Sequence, residues 1–456
     1  MMMRKVIQTG FFTWSKINTL HLQLRGIATT PVRYLSNQRT DTWQNNFQLQ
    51  DADLDLDNLL DARNRDTIRD NITRRKGVGD IDRVIDLWKQ YSTEIDMSRK
   101  EDFRQQFLSA AREIPNLSHP HSPVGDEHMS RQVELFNKPK SVSWPLKSVV
   151  ELGQQLGMLR ISNVSMTTGP STYYFTDKLA RMEYALVKYS VDHLLKMGFE
   201  LVSVPDLLRP EIIEGCGFKT TGEVAQVYML DPSRHDNLCL AGTAEMPLAG
   251  LLAGGTLDFE ELPKKFMAVS RCYRAETSHA ENELGIYRVH QFTKVEMFAV
   301  ASSETMEEGN ELLMQLLDIE KTLFGQLGLH YRVLDMSTAE LGAPAHRKFD
   351  MEAWMPTKQF WGEISSASNC TDYQSRRLHL RYKSPLGQLK HCTTVNGTAC
   401  AVPRTIIALL ETHQNEDGSV SVPEGLRPYM GGDSVIRASD QGPKLTWIKD
   451  HKRSVQ

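Results

Sequence analysis

Charged and aromatic residues alternate along residues 271–298, RCYRAETSHAENELGIYRVHQFTKVEMF, which predict two strands around a polar turn. Counted by twos, they share one face of each strand: Arg274 and Glu276 in the first, and Arg288, His290, Phe292 and Glu296 in the second. An arginine there can hold phosphate oxygens, an aromatic ring can stack on a base, and carboxylates can hold an amine or a metal. A solvated sheet face with surface ion pairs has the same pattern, so this hairpin alone leaves both interpretations open.

A second polar segment covers residues 360–377, FWGEISSASNCTDYQSRR. Glu363 is followed by Ser365 and Ser366, and such oxygen ligands suit Mg²⁺ that bridges the phosphates of a nucleotide. A capped turn with a surface acid fits this segment equally well.

Two shorter segments carry groups that can bind a phosphate and a small amine. In TVNGTACAVPRTIIALLETHQ, residues 394–414, a strand leads through small residues into a helix with Arg404 in its first turn. Free N–H groups at a helix start and an arginine beside them favour a phosphate. In LAGTAEMPL, residues 240–248, Thr243 and Glu245 lie beside small residues and can clasp a small amine.

The elements that must position these residues alternate without a regular βαβ rhythm. TDKLARMEYALVKYSVDHLLKMG predicts a long amphipathic helix that stops at Gly198, followed by the strand FELVSVP. Later strands, such as KFMAVSRCYR, YRVHQFTKVEMFAV, YRVLDM and KFDMEAWMP, predict an α+β fold with an antiparallel sheet flanked by helices. Because no glycine-rich phosphate motif is present, a nucleotide would be held by side chains on the sheet.

Composition narrows the class of protein further. The chain has 456 residues and a net charge of −4, which argues against broad nonspecific nucleic-acid binding but permits a local basic groove. No apolar run of about 18 residues is present, so no membrane span is predicted. The six cysteines show no metal-binding spacing, so we expect reduced thiols and no zinc.

The first 40 residues carry basic residues and no acid before Asp41. This composition predicts a mitochondrial transit peptide over residues 1–36 and a mature protein in the mitochondrial matrix. A disordered basic tail is the alternative.

The region that follows is polar and helical in pattern. IDRVIDLWKQY carries one apolar helical stripe, and the proline-rich IPNLSHPHSPVGDEH predicts a boundary. We therefore expect a short helical hairpin over residues 37–116, a main domain over 117–432 and a basic C-terminal tail over 433–456.

Taken together, these segments resemble the class II aminoacyl-tRNA synthetases, specifically seryl-tRNA synthetases of the mitochondrial kind, over residues 112–432. The resemblance implies a six- to seven-stranded antiparallel sheet and a dimer formed through the long helix and the strand that ends at Pro205. It implies two steps: serine attacks the α-phosphate of ATP to give seryl-adenylate, and a terminal hydroxyl of tRNA(Ser) then takes the seryl group.

The resemblance also assigns roles to residues. Arg274, Glu276 and Arg404 would be catalytic, with Arg274 at the α-phosphate and the serine carboxylate and Arg404 at the γ-phosphate. Phe292 would meet the face of adenine and Glu276 its amino side. The full ATP site would comprise Arg274, Ala275, Glu276, Val289, Phe292, Glu363, Ile364, Ser365, Ser366 and Arg404. Mg²⁺ would bind Glu363 and Ser366, and serine would bind Thr243, Ala244, Glu245, Arg274, Glu296 and Thr398.

Two features depart from that family. Thr398 stands where many relatives have serine, and the helical arm that usually reaches tRNA is short. Only about 30 residues remain for it, enough for two helices of roughly 13 residues. Either a reduced tRNA is held elsewhere, by TSHAENELG, HLRYKSPLGQLKH or the C-terminal tail, or the subunit pairs with a related long-armed chain instead of forming a homodimer.

Two other functions compete with serine–tRNA ligation. One is a non-catalytic synthetase-like partner subunit, which would be expected to lack the ATP-binding arginines, whereas Arg274 and Arg404 are present. The other is transfer of activated serine to a carrier protein, which the short arm suggests.

Overall fold

Helices surround the predicted sheet and also form the N-terminal region. The computed structural model describes residues 49, 51–161, 167–222, 225–235, 237–276 and 285–438. The helices in these residues are α1 (Leu56–Leu60), α2 (Arg65–Arg74), α3 (Ile81–Thr93), α4 (Met97–Arg112), α5 (Val149–Gln155), α6 (Asp177–Lys196), α7 (Pro210–Gly215), α8 (Glu245–Leu252), α9 (Glu307–Gln326), α10 (Tyr373–Leu378) and α11 (Val402–His413).

The strands fall into one large sheet and several short ladders. They are β1 (Arg131–Phe136), β2 (Leu159–Arg160), β3 (Tyr174–Phe175), β4 (Glu200–Val202), β5 (Leu207–Leu208), β6 (Cys239–Leu240), β7 (Thr256–Asp258), β8 (Lys264–Tyr273), β9 (Gln291–Ala301), β10 (Tyr331–Asp335), β11 (Arg347–Met355), β12 (Phe360–Thr371), β13 (Arg381–Lys383), β14 (Leu389–His391), β15 (Thr393–Ala401), β16 (Val420–Ser421) and β17 (Val435–Ile436).

The large sheet has the strand order β1-β10-β11-β12-β15-β9-β8-β4. All neighbours are antiparallel except β4, which runs parallel to β8 at one edge. The predicted α+β class and the mostly antiparallel sheet are confirmed. The sheet has eight strands instead of six or seven. The sequence analysis did not predict β1, a largely exposed edge strand, and did not predict β12 as a strand.

Both faces of β9 are covered, and its alternation decides what reaches the site. Val295, Met297 and Ala299 pack into the main core, which the sheet shares with α6, α9 and α11. Lys294 and Glu296 alternate with these residues and therefore point to the opposite side of the sheet. Polar residues at every second position, rather than exposure to solvent, mark the functional face of this strand.

The helix α6 ends where the sequence predicts. Gly198 has φ of 80°, and the backbone N–H groups of Gly198 and Phe199 bond to the carbonyl oxygens of Leu195 and Leu194. A left-handed residue at this position suits glycine and satisfies the last carbonyls of the helix. The turn leads directly into the edge strand β4.

The N-terminal helices form a small core of their own. Ile72, Ile81, Val84 and Phe107 are buried within it. Helix α3 has 13 residues and α4 has 16, so the predicted short helical hairpin is present. Asp80 caps α3 by accepting hydrogen bonds from two backbone N–H groups of its first turn.

Several other expectations concern the described residues as a whole. All six cysteines are free and buried. Within the described ranges, no helix is long and apolar enough to cross a membrane, and no group of three or more His, Cys, Asp or Glu is placed to hold a metal ion. The predicted transit peptide and most of the C-terminal tail lie outside these ranges, and the predicted domain boundaries stay predictions.

Candidate active site

Most residues predicted to bind ATP line one cleft, which we call the arginine cleft. The residues that meet there are Arg274, Glu276, Val289, Phe292, Glu363, Ile364, Ser365, Ser366 and Arg404. Ala275 is not among the lining residues. Its backbone N–H donates to the carbonyl of Gln226 at 2.9 Å. This hydrogen bond holds the backbone between Arg274 and Glu276.

Most residues predicted to bind serine line an adjoining cavity of about 360 Å³, the carboxylate pocket. They are Thr243, Glu245, Arg274, Glu296 and Thr398. Ala244 instead packs into an apolar core beneath α8. Arg274, Lys294, Ser366 and Thr398 line both spaces, so the cleft and the pocket adjoin along these four side chains.

The predicted hairpin is only partly a pair of strands. β8 ends at Tyr273 and β9 begins at Gln291, so Arg274, Glu276, Arg288 and His290 do not lie on strands as the alternation predicted. The backbone N–H of Arg274 still donates to the carbonyl of His290 at 3.0 Å, which holds the two segments together beyond the last ladder pair. The predicted tRNA contact TSHAENELG is residues 277–285, of which 277–284 lie outside the described residues.

The two arginines of the cleft are held by backbone carbonyls and aromatic rings. Arg274 Nε donates to the carbonyl of Gly242 at 3.2 Å, and its guanidinium carbon lies 5.3 Å from the centre of the Phe292 ring. Arg404 Nη1 donates to the carbonyl of Glu363 at 3.0 Å, and its guanidinium carbon lies 4.3 Å from the centre of the Tyr287 ring. These contacts orient both charges while leaving donors that can meet an anion.

Glu276 already has a partner in the cleft. Arg288 Nη1 donates to Glu276 Oε2 at 3.1 Å. The sequence predicts both residues on sheet faces, but here they form an ion pair between two irregular segments. The pair holds the carboxylate among the residues that line the cleft.

A β-bulge brings Glu363 and Ser366 to the same face of β12. In the ladder with β11, Met351 pairs with Ser365 and Glu352 pairs with Glu363, so Ile364 is the extra residue. Residues three apart on a regular strand face opposite sides, and one inserted residue restores a common face. The segment is thus a bulged strand, and the capped-turn interpretation of it is wrong.

Glu363 carries a negative charge at neutral pH. Burial alone raises the pKa of its carboxyl, but Lys348, Arg404 and Arg274 together hold that pKa below its ordinary value. Arg404 Nη1 lies 3.3 Å from Glu363 Oε2. An ionised carboxylate beside a serine hydroxyl is a donor set that fits Mg²⁺.

The sequence interpretation missed Lys294, which forms a buried ion pair with Glu296. Both side chains are almost fully buried, and Thr398 Oγ1 also donates to Glu296 Oε2, at 3.2 Å. The alternation Phe292, Lys294, Glu296 along β9 contains the signal, because it places the lysine on the functional face. The lysine offsets the charge of a carboxylate that burial would otherwise neutralise.

Glu245 is buried at the start of α8 and is held by two amides that the sequence interpretation also missed. Gln374 Nε2 and Asn396 Nδ2 each donate to Glu245 Oε1 at 2.6 Å. Burial, and then repulsion from Glu296, raise the pKa of Glu245 to about 7. A cationic ligand in the pocket would favour its ionised form.

The chain resembles known proteins over most of its length. The family model "tRNA synthetase class II core domain (G, H, P, S and T)" matches residues 228–413. The chain is 40% identical over 430 residues to the mitochondrial serine–tRNA ligase of Mus musculus, covering 93% of this chain and 77% of that protein. It is 44% identical over 337 residues to the mitochondrial serine–tRNA ligase of Bos taurus, covering 74% of this chain and 65% of that protein.

Solved structures support the same relationship. Seryl-tRNA synthetase from Pyrococcus horikoshii, complexed with ATP, superposes with a TM-score of 0.74 at 27% identity. That match covers 85% of this chain and the whole of the archaeal chain. The cytoplasmic serine–tRNA ligase of Naegleria fowleri, in complex with AMP, also gives 0.74 at 27% identity and covers 84% of this chain and 98% of that one.

The buried ion pair between Lys294 and Glu296 leads to a prediction about stability. Lys294→Met leaves Glu296 buried without its countercharge, and we expect the free energy of unfolding to fall by about 3 kcal/mol. Denaturant unfolding of the purified protein measures this loss. Lys188→Met, which removes an exposed pair with Asp192, is the control and should change stability by less than about 0.5 kcal/mol.

The double variant Lys294→Met/Glu296→Gln separates the two contributions. Because it removes the unpaired charge as well, it should be more stable than Lys294→Met alone. Equal stability of the single and double variants would show that the two charges do not depend on each other.

Proposed function

The chain belongs to the class II seryl-tRNA synthetases, and from that premise we propose how its site works and where it acts. It is a serine–tRNA ligase that uses ATP to attach serine to tRNA(Ser). The observation that supports this mechanism best is the junction of two spaces, one lined by Arg274 and Arg404 and the other by buried carboxylates.

We propose that ATP occupies the arginine cleft. Adenine stacks on Phe292 with its amino side toward Glu276, while Arg274 holds the α-phosphate and Arg404 the γ-phosphate. Fixed positive groups at both ends of the triphosphate stabilise the charge that develops as the α-phosphate is attacked. No protein nucleophile is required, because an oxygen of the serine carboxylate attacks the α-phosphorus as its bond to the leaving pyrophosphate breaks.

Serine occupies the carboxylate pocket in this proposal. Its ammonium group meets the acidic side chains, its hydroxyl meets Glu296 and Thr398, and its carboxylate reaches Arg274 at the junction with the cleft. A site that pairs the hydroxyl leaves buried polar groups unsatisfied when alanine enters, which disfavours alanine.

Glu363 and Ser366 would hold Mg²⁺ beside the phosphates. The ion would neutralise charge on the phosphate oxygens when bound. The protein contributes an ionised carboxylate and a hydroxyl on one face of β12, placed there by the bulge at Ile364.

We propose that the enzyme acts in the mitochondrion. The mouse and bovine relatives are named as mitochondrial, and the first 40 residues have the composition of a transit peptide. The tRNA would then be a mitochondrial tRNA(Ser), approached by the short helices α3 and α4 and by the segment of β13 and β14.

We also propose a dimer through α6 and β4. Apolar side chains are exposed along both elements, including Tyr184, Leu195 and Leu201, and β4 is one of the two edge strands of the large sheet. A homodimer and a heterodimer with a related chain both fit this surface. Light scattering of the purified chain measures its oligomeric state. A dimer supports the homodimer, whereas a monomer that gains activity only when a second chain is added supports the heterodimer.

The decisive experiment for the function is ATP–pyrophosphate exchange with serine, followed by transfer to mitochondrial tRNA. Exchange with transfer supports the proposed enzyme. Exchange without transfer favours a carrier-protein acceptor or a missing partner chain. The absence of exchange would leave the non-catalytic partner subunit as the better explanation.

Arg274→Ala tests the assignment of the α-phosphate site. We expect the exchange rate to fall about 100-fold or more, because Arg274 is the charge shared by cleft and pocket. The control is Arg271→Ala, three residues earlier on β8, whose side chain is half exposed and lies 3.7 Å from Glu183. If exchange by Arg274→Ala stayed near the wild-type rate, the assignment would be wrong.

Ionisation of Glu245 leads us to expect that the KM for serine depends on pH. Because its pKa in the empty pocket is about 7, raising the pH through neutrality ionises the carboxyl that attracts the serine ammonium. The KM for serine should therefore fall by up to about tenfold between about pH 6 and pH 8, whereas the KM for ATP should not follow it. Glu245→Gln should raise the KM for serine and abolish this pH dependence, and a pH dependence that survives in this variant would assign it to another group.

A further inference from the structure

A buried arginine follows the last residue of α2, in the N-terminal helical region. Arg75 is 4% exposed. Its Nη1 donates to the carbonyl oxygens of Asn116 at 2.7 Å and Ala345 at 2.8 Å. Its Nη2 donates to the carbonyl oxygens of Gly342 and, at 3.4 Å, Ala343. The side chain therefore spans from the helical region to one short segment of the main domain.

That segment, residues 342–345 or the GAPA segment, is one wall of the carboxylate pocket. All four of its residues line the pocket, together with Glu245 and Thr398. Gly217 packs against it from the side, where an added Cβ would lie only 2.7 Å from Cδ of Pro344. Gly217 thus limits movement of this wall on one side. The carbonyl oxygens of the wall face the N-terminal region.

Asn116, in the linker after α4, holds the same wall. Its Nδ2 donates to the carbonyl of Pro344 at 2.8 Å, and its backbone N–H donates to the carbonyl of Ala343 at 2.9 Å. Every carbonyl of the GAPA segment is therefore bound by Arg75 or Asn116. A nearby ion pair, between Lys76 and Glu340 at 3.3 Å, ties the start of the same loop to the residue after Arg75.

The type of residue at position 75 matters for this arrangement. Burial lowers the pKa of the Arg75 guanidinium to about 10, so it stays charged at neutral pH. Within the described part of the chain, no carboxylate forms an ion pair with it. Main-chain carbonyls accept from Nη1 and Nη2 instead, while the buried Nε has no hydrogen-bond partner among the described residues. A planar fork can bind several carbonyl oxygens at once, whereas a lysine ammonium at the same position reaches fewer of them.

We propose that Arg75, together with Asn116, is a positioning residue for serine: the N-terminal helical region sets the wall of the amino-acid pocket through the GAPA carbonyls. The inference rests on the proposed function, in which this pocket takes serine. It gives the short helical region a role in amino-acid selection, separate from any contact with tRNA. Threonine, which is larger by one methyl group, would enter more readily when the wall is released.

The experiment compares Arg75→Met and Asn116→Leu with wild type in ATP–pyrophosphate exchange. We expect the KM for serine to rise about tenfold in each variant, while the KM for ATP stays within about twofold, because neither Arg75 nor Asn116 lines the arginine cleft. The ratio of threonine to serine activation should increase in both. Arg75→Lys, which keeps the charge but not the fork, should fall between wild type and Arg75→Met.

Arg74→Met is the matched control. Arg74 is the neighbouring residue, is half exposed and pairs with Asp70 at 2.6 Å, whereas the side-chain donors to the GAPA carbonyls in the described structure are those of Arg75 and Asn116. Its KM for serine should equal that of wild type. Circular dichroism and thermal unfolding confirm that each variant is folded at the assay temperature, and Asn116→Leu with Arg75→Lys decides the question if Arg75→Met does not fold.

The outcomes separate the two proposals. If the folded variants bind serine as wild type does, or if their KM values for serine and ATP rise in parallel, the positioning role is overturned while the enzyme assignment stands. If wild type and Arg74→Met show no serine-dependent exchange, the proposed function itself fails, and the role of Arg75 in serine binding fails with it.

Discussion

The burial of several carboxylates at and near the candidate active site is the main constraint on this structure. Glu245, Glu296 and Glu320 lie with almost no exposed surface around the sheet strand β15, and burial raises the pKa of each. The protein meets this constraint differently at each position: two amides hold Glu245, and Lys294 lies against Glu296. At the third position, a Cβ added to Gly397 would lie 2.8 Å from Glu320 Oε1, so glycine leaves room for that carboxylate. The strands around these groups leave little freedom for substitution.

The sheet also has to present, on one face, residues that regular strand alternation would place on opposite faces. Strict alternation would place Glu363 and Ser366 on opposite faces, and the bulge at Ile364 removes that conflict. A second irregularity, between Thr398 and Cys400 on β15, falls where Thr398 meets Glu296. Both bulges lie beside the junction of cleft and pocket. The regular ladder supplies rigidity, and these two of the four irregularities in the described sheet orient the side chains of the site.

The sequence predicts the fold class and most residues around the site because their signals are local. The alternation in β9 and the start of α11, with Arg404 in its first turn, are examples, since each depends on a few neighbouring residues. Lys294 was overlooked although the same alternation contains it. Gln374, Asn396 and Arg75 carry no local signal, because their roles depend on partners 129, 151 and 270 residues away in the chain. The strand positions of Arg274 and Glu276 were wrong because the ladder ends before them.

The short helical hairpin gains a different meaning from its contacts with the main domain. A helical region that only captured tRNA would need basic, exposed side chains, but Arg75 is buried and bonded to carbonyl oxygens of the pocket wall. The charge of that arginine is therefore directed inward, to main-chain dipoles, and contributes little to the attraction of phosphates. Shortening the hairpin at its far end would leave this inner contact unchanged, because α2 and the linker at Asn116 lie at its base. The length of the arm and the geometry of the amino-acid pocket can thus vary independently.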